Sequence, residues 1–88
     1  MWIDQNRYKS VGSVLESVRE KAGLTQAQLA VTLKKPQSFV SSYEAGQRRI
    51  DVLELIRIAD ALQADARRIF ADILRSAEPV RKSRSPKA

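Results

Sequence analysis

Apolar residues recur along this chain at helical spacing, and strand-like alternation is not sustained anywhere. Val11, Val14, Leu15, Val18 and Ala22 mark one face of a first helix over about Ser10–Ala22, with Glu16, Arg19 and Glu20 expected to face away. Gly23 stops it, because glycine enters the left-handed conformation that closes a helix. Thr25 and Gln28 have the spacing of a capping box and open a second helix whose buried stripe is Leu29, Ala30 and Leu33. Lys34, Lys35 and Pro36 interrupt it, and a third helix is predicted from Pro36 to Gly46. Asp51 caps a fourth, with Val52, Leu55, Ile56, Ala59 and Leu62 as its core stripe and Leu53 and Ile58 off that stripe. A fifth runs from about Asp65 to Ser76 on Ile69, Phe70, Ile73 and Leu74. The expected fold is all-α: a compact five-helix domain over 10–75, an N-terminal arm over 1–9, and a tail over 76–88.

The third helix differs from an ordinary surface helix. Val40 and Tyr43 can anchor it, yet its remaining surface is Gln37, Ser38, Ser41, Ser42 and Ala45, uncharged and rich in hydrogen-bonding groups. A solvated face would carry Glu and Lys pairs. Amides and hydroxyls are what base edges in a major groove require, since Gln bonds adenine N6 and N7 together and Ser either donates or accepts.

Charge sharpens this picture. Sixteen Lys and Arg against ten Asp and Glu leave a formal +6, which favours a polyanionic partner, nucleic acid before an anionic membrane. Lys34 and Lys35 precede the third helix and Arg48 and Arg49 follow it, where they can neutralise phosphates. The tail carries Arg81, Lys82, Arg84 and Lys87 with Pro79 and Pro86, a composition expected to be disordered. No His and no Cys is present, so a disulfide, the usual zinc sites, a thiol nucleophile and a histidine base are all excluded. The carboxylates are scattered and no Gly-rich phosphate loop exists, so no enzyme and no cofactor are expected. No apolar run approaches the roughly 20 residues of a membrane span and no leader is apparent, so a cytoplasmic protein without membrane attachment is expected.

Leu24-Thr25-Gln26, Leu29-Ala30, Gln37-Ser38, Val40-Ser41, Glu44, Gly46 and the run Ile56, Ile58-Ala59, Ala61-Leu62 together resemble the phage repressor and Cro type of helix-turn-helix domain, the XRE family. The resemblance covers Leu24 to Phe70, about half the chain, and implies a lambda-repressor-like fold that binds double-stranded DNA as a small transcriptional regulator. It implies that Gln26 contacts a phosphate and buttresses the third helix, with Thr25 beside it. Gln37, Ser38 and Ser42 match positions that reach base edges, and Ser41 matches one whose role varies. Glu44 and Gly46 match a structural turn. Three residues depart from the pattern: Lys34 stands where Gly is usual, Pro36 where a Ser or Thr cap is usual, and Phe39 where many relatives have a small residue. Lys34 must therefore take up a left-handed conformation, or the turn is reshaped.

One such domain touches few bases, so a homodimer spanning half-sites about 34–36 Å apart on a palindromic operator is expected. Leu53, Ile58, Phe70 and Leu74 look surplus to one small core, which makes the fourth and fifth helices the candidate dimer surface without fixing it. Trp2, Ile3 and Tyr8 are alternative packing residues in the arm. The rival reading is an antitoxin-like or adaptor module that holds a protein partner as well as DNA.

Overall fold

The computed structural model describes residues 3–77, and within them the chain forms five helices: α1 (Gln5–Lys21), α2 (Gln26–Leu33), α3 (Gln37–Glu44), α4 (Val52–Ala61) and α5 (Ala66–Ala77). The first begins earlier than its apolar stripe implied. Asp4 is extended and its carboxylate accepts the Asn6 amide at 2.9 Å, so the helix is capped there instead of near Ser10. Its opening turn holds Gln5, Asn6 and Arg7, which carry no hydrophobic signal. Tyr8 consequently belongs to α1, not to an arm.

The buried line of α1 is Gly12, Leu15 and Arg19, with Val11, Val14 and Val18 half-buried beside it and Ala22 exposed. Arg19 was expected to face away; it is only 7% exposed. Gly12 explains how α1 reaches α3 so closely. A Cβ at this position would lie 2.3 Å from the Glu44 carbonyl oxygen and 2.4 Å from that of Tyr43, so only glycine permits the crossing. Glycine inside a helix costs about 1 kcal/mol relative to alanine, and the close packing offsets it.

Leu15, Leu29, Ala30, Val40, Tyr43, Ile58, Ala59, Leu62 and Ile69 form the core. Each large aliphatic side chain among them contributes about 1.5–3 kcal/mol by leaving water. Val40 and Tyr43 anchor α3 as their spacing predicted, and Leu29 and Ala30 anchor α2. On α4 the stripe is displaced. Ile58, Ala59 and Leu62 are buried with Leu55 half-buried, whereas Val52 and Ile56 are 73% and 45% exposed. Residues 55, 58, 59 and 62 satisfy helical periodicity as well as 52, 55, 56 and 59 do, so spacing alone could not choose between the two faces. On α5, Ile69 is buried and Ile73 packs against the core, but Phe70 and Leu74 are 53% and 44% exposed.

Helices α1 to α4 end alike. Gly23, Lys34, Gly46 and Gln63 all have positive φ, at 77°, 59°, 80° and 56°. After each, an amide reaches back five residues: Leu24 to Arg19 (3.3 Å), Lys35 to Ala30 (3.0 Å), Gln47 to Ser42 (2.8 Å) and Ala64 to Ala59 (2.9 Å). This is the Schellman closure. Lys34 thus does adopt the conformation that glycine usually supplies. At the other end of the chain, α5 lies along α1 and includes Ser76 and Ala77, residues expected to begin the tail. Ala77 is buried, and its carbonyl accepts a hydrogen bond from the Arg7 guanidinium. Trp2 and the basic stretch from residue 78 onward lie outside the described residues.

Candidate nucleic-acid interface

The turn between α2 and α3 is built by three local devices. Thr25 Oγ1 accepts the Gln28 amide at 3.1 Å while the Gln28 side chain accepts the Thr25 amide at 2.8 Å, so the expected capping box is present and uses the Thr25 hydroxyl only as an acceptor. Lys34 closes α2 in the left-handed conformation. Pro36, extended at φ −69° and ψ 155°, stands at the N-cap of α3 and offers no side-chain cap. The first-turn amides of α3 are therefore left without a capping side chain, next to Gln37 and Ser38.

Beneath this turn runs a polar chain that begins in the core. Arg19 donates from Nε to Glu44 Oε2 at 2.7 Å and from Nη2 to Glu44 Oε1 at 3.0 Å, and its Nη1 donates to the Leu24 carbonyl at 2.8 Å. Hydrogen bonding to Glu44 holds the Arg19 pKa above its usual value despite burial. Both partners are buried, so removal of either would strand a charge in the core. Glu44 Oε1 also accepts from Gln26 Nε2 at 2.9 Å, and Gln26 Oε1 accepts from Gln37 Nε2 at 3.3 Å.

The polarity of that chain has a chemical cause. An ionised carboxylate only accepts, so Gln26 must turn its amide nitrogen towards Glu44 and its oxygen towards Gln37. Gln37 must then spend one N–H on Gln26. It keeps a second N–H and its carbonyl oxygen, the acceptor and donor pair that adenine N6 and N7 need.

The other residues expected to read bases share α3 but are differently engaged. Ser38 and Gln37 are exposed. Ser42 Oγ donates to the Ser38 carbonyl at 2.5 Å, and Ser41 Oγ donates to the same carbonyl at 3.3 Å. Both hydroxyls retain lone pairs that can accept from a base, while donation to one requires rotation of χ1.

The four flanking cations fall into separate settings. Lys34 is exposed at the closure of α2. Lys35 Nζ and Arg48 Cζ lie 5.3 Å and 4.7 Å from the centroid of the Phe39 ring. Arg48 Nη2 also donates to Glu54 Oε2 at 2.8 Å. Arg49 Cζ sits 5.2 Å from the Tyr8 centroid, at the opening of α1. From the sequence alone, Arg19 is assigned to a solvated face and Tyr8 to packing in the arm, and Glu54 has no role. A signal for Arg19 existed, because it continues the line Gly12, Leu15 at helical intervals.

Among the described residues no helix is long and apolar enough to cross a membrane, and no group of acidic side chains is placed to hold a metal ion. A family model described as helix-turn-helix matches residues 15–69. No curated protein sequence matches the chain significantly. Among solved structures, an XRE-family like protein from Pseudomonas syringae pv. tomato is 35% identical, with a TM-score of 0.69 over 77% of this chain and 83% of that one. The restriction-modification controller protein C.AhdI from Aeromonas hydrophila is 31% identical, with a TM-score of 0.66 over 74% of this chain and 97% of that one. The clp gene regulator ClgR from C. glutamicum shares the fold at a TM-score of 0.75 and 22% identity, over 81% of this chain and 91% of that one. With the matched model spanning α2, the turn, α3 and α4, and with Gln26 and Gln37 joined across that turn, the chain belongs to the XRE family of helix-turn-helix DNA-binding transcription regulators.

Proposed function

We propose that this protein reads a specific double-stranded DNA sequence through α3 and does so as a homodimer on a palindromic site. The observation that carries the reading is the hydrogen bond from Gln37 to Gln26, itself held by buried Glu44, because it presents a fixed acceptor and donor pair at the exposed start of α3. Ser38, Ser42 and Ser41 extend the same face. Gln26 and Thr25 with Lys34, Lys35, Arg48 and Arg49 supply the surrounding phosphate contacts. Support for the dimer comes from Val52, Ile56, Phe70 and Leu74, large apolar side chains left exposed on α4 and α5. Val52 and Phe70 line an almost wholly apolar groove together with Val11, Ile50, Leu55 and Ile73, and a second copy of the chain is the occupant this reading assigns to it.

Selection of bound duplexes from a random pool tests the reading: the expected product is a palindromic consensus with half-sites about one helical turn apart. On that consensus, Gln37→Ala should cost about 1–3 kcal/mol and relax specificity at one base pair per half-site, while scarcely altering affinity for unrelated DNA. An unchanged ratio in folded Gln37→Ala, Ser38→Ala and Ser42→Ala proteins would remove α3 as the reader. A consensus without symmetry would remove the dimer and leave the apolar face to a different protein partner.

A further inference from the structure

Phe39 departs from the small residue common at this position in the family, and its surroundings suggest what it does. It is half-buried on α3, packed edge-to-face on Tyr43 with centroids 5.4 Å apart and planes at 78°. Tyr43 is fully buried, so the Phe39 ring is tied to the core. Two cations that lie thirteen residues apart in sequence meet over this one ring: Lys35 from the turn before α3 and Arg48 from the loop after it. Arg48 is held a second time by Glu54, whose own carboxylate accepts the Asp51 amide at 3.0 Å as part of the capping box of α4. Phe39 and Lys35 also line a groove with Leu33, Leu53, Glu54 and Arg57, between the α2–α3 turn and the start of α4.

Two positive groups drawn to one place repel each other, and Lys and Arg lose the most rotamer entropy when they are ordered. The negative face of an aromatic ring offsets both costs without neutralising either charge. Glu54 pairs with Arg48 and not with Lys35, so the three side chains together keep a net positive charge. We infer that Phe39 is a positioning residue that holds Lys35 and Arg48 together as one clamp for a DNA phosphate, and that it makes no base contact. This inference rests on the DNA-binding reading above and deepens it.

The test uses the full chain, with affinity measured on the selected duplex and on an unrelated duplex of equal length. Phe39→Leu keeps an apolar side chain but removes the ring face. It should weaken both duplexes by the same factor, about three- to tenfold, with the consensus unchanged, and Phe39→Tyr should restore wild-type binding. In a Lys35→Ala, Arg48→Ala background, Phe39→Leu should cause no further loss. Losses that simply add in that background overturn the inference, as does a changed consensus, which would make Phe39 a base contact. Melting curves exclude unfolding, and Phe39→Met serves in the same way should the leucine variant melt too low. A measurement without DNA separates failure of the clamp from failure of the DNA reading. Ring-current shifts on the Lys35 ε protons and Arg48 δ protons should be present in the free protein and vanish in Phe39→Leu. Their absence from the wild type overturns the clamp alone, whereas their presence in a protein that binds neither duplex overturns the DNA reading and the phosphate role with it.

Discussion

Tyr43 shows how a single residue can be legible in position and illegible in chemistry. Its spacing from Val40 marked it as an anchor of α3, and both are buried. Its hydroxyl, however, has no hydrogen-bond partner among the described residues, and burial together with the nearby Glu44 carboxylate raises its pKa well above the usual phenol value. An unpaired buried hydroxyl is a cost, so Tyr43→Phe should be neutral or stabilising by up to about 1 kcal/mol in denaturant melts. A loss greater than about 1 kcal/mol would show that the hydroxyl is bonded in solution. Arg19 is the opposite case. Its charge suggested a solvated face, yet a bidentate bond to Glu44 makes burial tolerable. A partner 25 residues away cannot be read from local pattern.

At the scale of elements, caps and closures were the most readable features. Thr25 and Asp51 open α2 and α4 as expected, Gly23 and Gly46 close α1 and α3, and Lys34 takes the strained closure its position demanded. Gln63 was not foreseen, because nothing in its side chain favours positive φ. Gln63 takes positive φ where α4 closes, with the Ala64 amide bonded back to the Ala59 carbonyl at 2.9 Å. Gln63→Gly should therefore raise stability by about 1 kcal/mol, seen as a higher melting temperature. The same variant should bind DNA as the wild type does, since Gln63 lies outside the proposed interface. A melting temperature that falls would mean that the strain assigned to this closure is absent.

For the whole molecule, the apolar residues left outside are as informative as those inside. Ile58, surplus by its spacing, lies in the core, while Val52 and Ile56, core residues by theirs, are exposed, as are Phe70 and Leu74, and Val52 shares a groove with Phe70. If that surface joins two copies, Phe70→Lys should leave a folded protein that sediments as a monomer and binds the palindrome more weakly than the wild type. The melting curve of the dilute protein should change little, because Phe70 is already more than half exposed. A variant that still sediments as a dimer would move the interface elsewhere. The sequence by itself determined the helix count, most helix boundaries, the anchors of α2 and α3 and the polar face of α3, because each follows from periodicity or from a cap within four residues. Only the tertiary structure decided which stripe of α4 is buried, that Gly12 lets α1 cross α3, and that Arg19, Glu44, Gln26 and Gln37 form one chain. Those facts depend on groups distant in sequence meeting in space, where hydrogen-bond polarity and excluded volume, not local propensity, select the arrangement.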